Sequence, residues 1–208
     1  METVEFRGCR GLVYAEILTD NNEVDGGYTT GTVKPLAPVA LISKTVETSS
    51  ESKYYDNVAK KTVDSEGADT VTFTIAVPDD VTLAEITGRV YDATKKMFIE
   101  APRTKKYFAV GYILGEDGSD GEDERYVWRY KGAFNIPDEE SSTKDNSTTA
   151  NNMSLVYTGV YTDHIFTNGG GTGKKSPAKS SFIRASGTVT EEKFFAQVTT
   201  PDTDLQTA

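Results

Sequence analysis

The chain has 208 residues, 37% of them hydrophobic and 26% charged, and Asp plus Glu outnumber Lys plus Arg by 32 to 22 for a net charge of −10. That length supports one well-cored domain with extensions. The acidic balance argues against stable binding to nucleic acid, which needs clustered Lys and Arg against phosphates.

The opening residues METVEFRGCRG lack the apolar run of a signal peptide, and no stretch approaches the roughly 18 apolar residues of a membrane span. Eleven Tyr and nine Phe against three Met favour β-structure. Val4 to Leu18 reads as the first strand, and a loop rich in Asn, Asp and Gly follows as far as Gly31. Pro35 and Pro38 bracket the approach to the next strand; proline cannot donate to a ladder, so this is an edge or an entry.

From Pro38 to Asn57 the chain begins as a strand and does not end as one. Val39, Leu41 and Lys44 to Val46 are strand-like, Thr48 to Ser52 are small, polar or charged, and Asp56-Asn57 marks a turn after Tyr54 and Tyr55. Strands usually run about five or six residues, so this one is expected to leave its domain as a hairpin arm over about residues 43–66. The N–H and C=O groups of such an arm need partners, and another copy of the chain supplies them. Thr48, Ser49, Ser50, Glu51, Ser52, Lys53, Tyr54, Tyr55, Asp56 and Asn57 are the expected inter-subunit residues.

Val58 to Ala68 reads as a polar return with a turn at Ser65–Asp69. Thr70 to Val77 alternates strictly: Val71, Phe73, Ile75 and Val77 share a buried face, and Thr70, Thr72 and Thr74 share a face turned to water. Asp79 or Asp80 can cap a helix over about residues 80–95, with Leu83, Ile86, Val90 and Tyr91 at helical spacing. Gly88 weakens that helix by roughly 1 kcal/mol. Met97 to Glu100 is a short strand. Lys106 to Leu114 is apolar on both sides and belongs in the middle of a sheet.

An acidic turn, GEDGSDGEDE, then leads into Arg125 to Ile136, where Tyr126, Trp128 and Tyr130 share one face and Val127, Arg129 and Lys131 the other. A polar loop, a strand at Met153–Thr162, a Gly- and Lys-rich loop at Thr167–Ser180 and strands at Ser181–Ala185 and Phe194–Val198 complete the pattern. The tail over about residues 200–208 reads as frayed. The expected fold is mainly β: a β-sandwich or partial barrel of about eight or nine strands, with one flanking α-helix and the projecting arm. It forms a single domain over residues 1–208.

Chemistry is sparse, and no enzyme, cofactor or metal is expected. His164 is the single histidine and Cys9 the single cysteine, so no disulfide forms and no site needing two imidazoles can be built. His164 beside Asp163 reads as a strand-end polar group rather than a base, and Cys9 as a small buried residue rather than a nucleophile. Gly169 to Lys175 fails the phosphate-loop pattern, because Asn168 replaces the first glycine and Lys175 the metal-binding hydroxyl. Asp117, Asp120, Asp123 and Glu124 do not match the spacing of an EF-hand. The Tyr126, Trp128, Tyr130 stripe would suit a sugar platform if exposed, but at period two in a hairpin it reads as core.

The stretches VEFRGCRGLVYAEILTD, VETSSESKYYDN, TVTFTIAVPDD, GRVYDATKKMFIE, ERYVWRYKGAFNIPDEES and KFFAQVTTPDT together resemble the phi13-type major tail proteins of long-tailed phages, over nearly the whole chain. The resemblance implies a virion tail subunit assembled in the bacterial host cytoplasm. It implies hexameric rings of the chain, stacked into a non-contractile tube, with the Thr48–Asn57 arm reaching a neighbouring subunit or ring. It further implies tape measure, terminator and tail-tip proteins as partners, with DNA passing through the lumen without stable binding and no membrane involved. Thr70, Thr72 and Thr74 are the candidate lumen face. The runner-up reading is a carbohydrate- or receptor-binding β-sandwich module of a phage tail tip.

Overall fold

The computed structural model describes residues 5–22, 26–99, 101–118, 121–138, 152–185 and 189–205. In chain order the elements are β1 (Glu5–Asp20), β2 (Tyr28–Thr30), β3 (Lys34–Pro35), β4 (Val39–Tyr55), β5 (Val58–Ile75), α1 (Asp80–Thr87), β6 (Val90–Asp92) and β7 (Met97–Ile99). They continue with β8 (Phe108–Gly118), β9 (Gly121–Phe134), β10 (Met153–Gly159), β11 (Ser180–Arg184) and α2 (Glu191–Phe195). The fold is mainly β, as the alternation and aromatic content predict.

One antiparallel sheet carries the order β2-β1-β8-β9-β10-β5-β4, and β3 pairs with β1. β9 is long enough to hold two neighbours on one edge: β11 pairs with Arg125–Arg129 and β10 with Gly132–Phe134. β6 and β7 form a separate hairpin, with Tyr91 against Phe98. The sheet curls so that β4 returns toward β1, where the Ile42 backbone meets the Cys9 thiol, and among the described residues no barrel closes.

Both faces of the central strands are buried. On the inner face Tyr14, Val71, Phe73, Phe108, Leu155 and Tyr157 pack together with Ile86 of α1. On the other face Ala109, Ile113, Trp128 and Tyr130 pack against Phe166, Phe194 and Val198, so the C-terminal third of the chain covers the sheet. β8 lies between β1 and β9, which is why its sequence is apolar on both sides. Trp128 is fully buried, and its indole N–H donates to the Phe194 carbonyl at 3.1 Å, so its one polar atom is satisfied.

Several boundaries differ from the sequence reading. The helix expected over about residues 80–95 stops at Thr87, because Gly88 takes φ 70° and caps it in the left-handed region. Any Cβ at Gly88 would collide with the Thr104 carbonyl oxygen, so glycine is required there. Val90 and Tyr91 belong to β6 instead. Ser65–Asp69 is not a turn. β5 runs through it with a bulge: Val46 pairs with Asp69 and Thr48 with Glu66, so Glu47 alone stands opposite Gly67 and Ala68.

Val77 lies beyond the end of β5 and is exposed. The strand expected at Phe194–Val198 is replaced by α2, capped by the Thr190 hydroxyl accepting from the Lys193 N–H. A run this short cannot separate period two from period 3.6. The tail is held at Asp202, whose carboxylate accepts from the Thr167 and Asn168 N–H groups at 2.8 Å each.

Candidate assembly interface

β10 accompanies β5 only as far as the Gly159–Asp69 pair. Beyond Asp69, β4 and β5 continue as a two-stranded ribbon, paired only with each other among the described residues. The ladder runs out to Tyr55 and Val58 around Asp56 and Asn57, whose φ angles are 53° and 64°. Asp and Asn tolerate positive φ, and a two-residue turn of this hand matches the twist of the strands it joins.

Every residue from Ser43 to Glu66 is exposed, and that span coincides with the arm expected from the sequence. Tyr54, Tyr55, Val58 and Val63 put apolar surface into water, Tyr54 at 69% exposure. The ribbon's own cross-links are light. Ser49 and Ser65 share a hydroxyl hydrogen bond at 2.8 Å, and Lys53–Glu51 and Lys60–Asp56 form exposed ion pairs. Such pairs contribute roughly 0–1 kcal/mol each.

The base of the arm is built differently. Asp69 is 3% exposed and accepts from Arg129 Nη1 at 3.0 Å, with Lys44 at 3.2 Å and Lys179 at 3.4 Å. Arg129 also donates to the Tyr112 hydroxyl. Lys179 Nζ donates to the Gly67 carbonyl at 2.6 Å and lies 4.5 Å from the Tyr161 ring centroid. Burial alone pushes the Asp69 carboxyl up, but Lys44, Lys179 and Arg129 together hold it below the usual carboxylate range. The bulge and this ion cluster coincide at the level where β10 ends, so they fix where the ribbon leaves the sheet.

Thr70, Thr72 and Thr74 are half-buried on the outward face of β5. Their register partners are Thr45, Ser43 and Leu41 on β4 and Thr158, Val156 and Ser154 on β10. The result is an uncharged strip three strands wide, rich in hydroxyls. None of these positions is an Asp or Glu, so any acidic character of a lumen wall has to come from residues outside the strip.

The remaining sequence candidates resolve into structural roles. His164 is 9% exposed; its backbone N–H donates to Asp20 Oδ1 at 2.9 Å, its ring Nδ1 lies 3.1 Å from the Asn21 carbonyl, and its ring meets Phe166 edge-on. Burial raises the Cys9 thiol above its ordinary value, which disfavours a thiolate. The glycine-rich loop closes on itself through the Phe166–Ser176 bridge and the Gly173 N–H donating to Asn168 Oδ1. Tyr126, Trp128 and Tyr130 are buried, so they offer no sugar platform. Of the four acidic residues weighed for calcium, Asp120 and the side chains of Asp117 and Asp123 lie outside the described residues, and Glu124 pairs with Arg10.

The Asp69 cluster is the feature that sequence reading missed. Its members are brought together from 60 and 110 residues apart. A signal was present: Asp69 stands in phase with Val71, Phe73 and Ile75, and Arg129 in phase with Val127. A charge on a buried strand face needs a partner. The domain is thus a curled antiparallel sheet that projects a coreless hairpin. No model of a known protein family matches the chain, and no curated protein matches it in sequence. Among the described residues no helix is long and apolar enough to cross a membrane.

Proposed function

We propose that the chain is a structural subunit that assembles with copies of itself, and more narrowly the tube subunit of a non-contractile phage tail. In that reading stacked hexameric rings form the channel that conducts DNA. The observation that carries self-assembly is the arm, a ribbon from Ser43 to Glu66 with no buried residue and, among the described residues, no strand paired to either outer edge. Ordering backbone costs about 1–2 kcal/mol per residue, and an exposed hydrogen bond returns only about 0.5–1.5 kcal/mol net. A two-stranded ribbon is marginal alone in water. Its apolar side chains and open edges gain burial and hydrogen bonds when they dock on another copy.

The phage-tail part of the reading is supported by the resemblance of the six sequence stretches to phi13-type major tail proteins. In this reading the Thr70, Thr72, Thr74 strip faces the lumen. Hydroxyls there hold water and offer no cation to a passing phosphate backbone. Tape measure, terminator and tail-tip proteins are the further partners, and no catalysis is involved. The receptor-binding alternative loses its best platform with the burial of Trp128.

Negative-stain electron microscopy across a concentration series tests the reading. Hollow rings or tubes of uniform width are the expected result. A monomer at every concentration, with tail-tip initiator complexes added as well as without, would overturn it.

A further inference from the structure

The arm is not the only open edge. Among the described residues β11 pairs only with β9, from Ser180 opposite Arg129 to Arg184 opposite Arg125, and no strand is paired to its other edge. Asp69 is level with Gly132 through Gly159, so the chain's own arm runs past the level of β11 without pairing with it. Beside this edge Phe182 and Phe6 are 62% and 60% exposed, and they bracket the Arg125 guanidinium at 4.5 and 5.0 Å. The fully buried Glu116 carboxylate holds Arg125 from below and meets Arg184 at 3.1 Å.

Two phenylalanines left in water around a fixed guanidinium make a binding surface ordered in advance. Aromatic residues and Arg dominate the energetics of interface centres. Because the stack is already set, little side-chain freedom remains to be lost on docking. Arg125 and Arg184 share the single Glu116 carboxylate, so the patch carries excess positive charge. The β4 half of the arm carries Glu47, Glu51 and Asp56 against Lys44 and Lys53, with Lys44 paired to Asp69 at the base, and its tip presents Tyr54 and Tyr55. Charge, apolar content and an open strand edge therefore match between the two surfaces.

We propose that the open edge of β11 receives the arm of a second copy. The outer edge of β4 adds to β11 as a further strand, and Tyr54 and Tyr55 settle against the Phe6–Arg125–Phe182 stack. The inference rests on the self-assembly reading and names the receiving site within it. The contact is head-to-tail, arm to β11, which closes into a ring when the rotation between copies permits and otherwise runs on as a filament.

The test uses full-length protein under assembling conditions. The photo-crosslinking residue p-benzoylphenylalanine replaces Phe182, and assembly from mixed light and heavy isotope-labelled chains separates links between copies from links within one. The expected product joins Phe182 of one copy to the segment Thr48–Asn57 of another. In parallel, Phe6→Ala with Phe182→Ala is expected to raise the concentration needed for assembly at least about tenfold, with the thermal midpoint unchanged because both rings are exposed. Links confined to other regions, or a double variant that assembles at the wild-type concentration, would overturn the inference. If arm excision abolishes assembly while these two results fail, the docking site alone is wrong. If the wild type never associates, the self-assembly reading falls and takes the inference with it.

Discussion

The arm offers the sharpest separation of folding from assembly. Removing only Thr48–Asn57 would strip one strand and leave Val58–Glu66 without a ladder, since the two are register partners. The clean perturbation excises Thr48–Glu66 and rejoins Glu47 to Gly67 through Asn-Gly, a pair that accepts the positive φ of a two-residue hairpin turn. The excised residues are all exposed, and none belongs to either hydrophobic cluster. Their exposed ladder returns about 0.5–1.5 kcal/mol per hydrogen bond against a backbone entropy cost of about 1–2 kcal/mol per residue. The two nearly cancel, so stability is expected to change by no more than about 1 kcal/mol, a few degrees in thermal midpoint for a domain of this size. Circular dichroism and calorimetry read the fold, and sedimentation with electron microscopy reads assembly. The expected outcome is a folded monomer at concentrations where the wild type forms rings or tubes. Normal tubes from the excised chain would refute the reasoning, and so would a loss of several kcal/mol, which would make the arm part of the folding unit.

Other substitutions test the architecture. Asp69→Asn leaves Arg129 and Lys179, both nearly buried, without their carboxylate, and should cost about 3–5 kcal/mol in urea unfolding at neutral pH. Asp69 and Glu85 are both held below the usual carboxylate range, Glu85 by Lys34 and Tyr14 against its own burial. A depressed folded pKa adds stability that is complete above the ordinary value of about 4. That contribution is lost as the pH falls through the lower folded value, so the gap between wild type and Asp69→Asn should narrow as the pH is lowered past 4. Lys179→Met removes the donor to the Gly67 carbonyl, and hydrogen exchange at Gly67–Asp69 should speed up, with the strands of the outer core unaffected. Trp128→Ala should cost about 3–5 kcal/mol by chemical denaturation. Gly88→Ala should cost about 1–3 kcal/mol, from the left-handed backbone and the Thr104 carbonyl together.

The sequence by itself determined the local features. Strict alternation at Thr70–Ile75 set which face of β5 is buried. Apolar residues on both sides of Lys106–Leu114 put that strand mid-sheet. The polar run Thr48–Ser52 and the Asp56-Asn57 turn defined an arm that proved to be exposed from Ser43 to Glu66. These are statements about neighbours in the chain, where the period of a strand and the φ preference of a turn residue act directly.

Tertiary structure decided the rest. Val90 and Tyr91 kept helical spacing, but the close approach of the Thr104 carbonyl required glycine at 88 and ended the helix there. Phe194 left a strand pattern for α2 because the outer face of the sheet needed cover. The Asp69–Arg129–Lys179 cluster and the Phe6–Arg125–Phe182 stack join residues from distant strands, and their chemistry exists only once β1, β5, β9 and β11 lie side by side. Burial is a property of the assembled sheet: it gives a lone charge at position 69 its partners and leaves two phenylalanines in water.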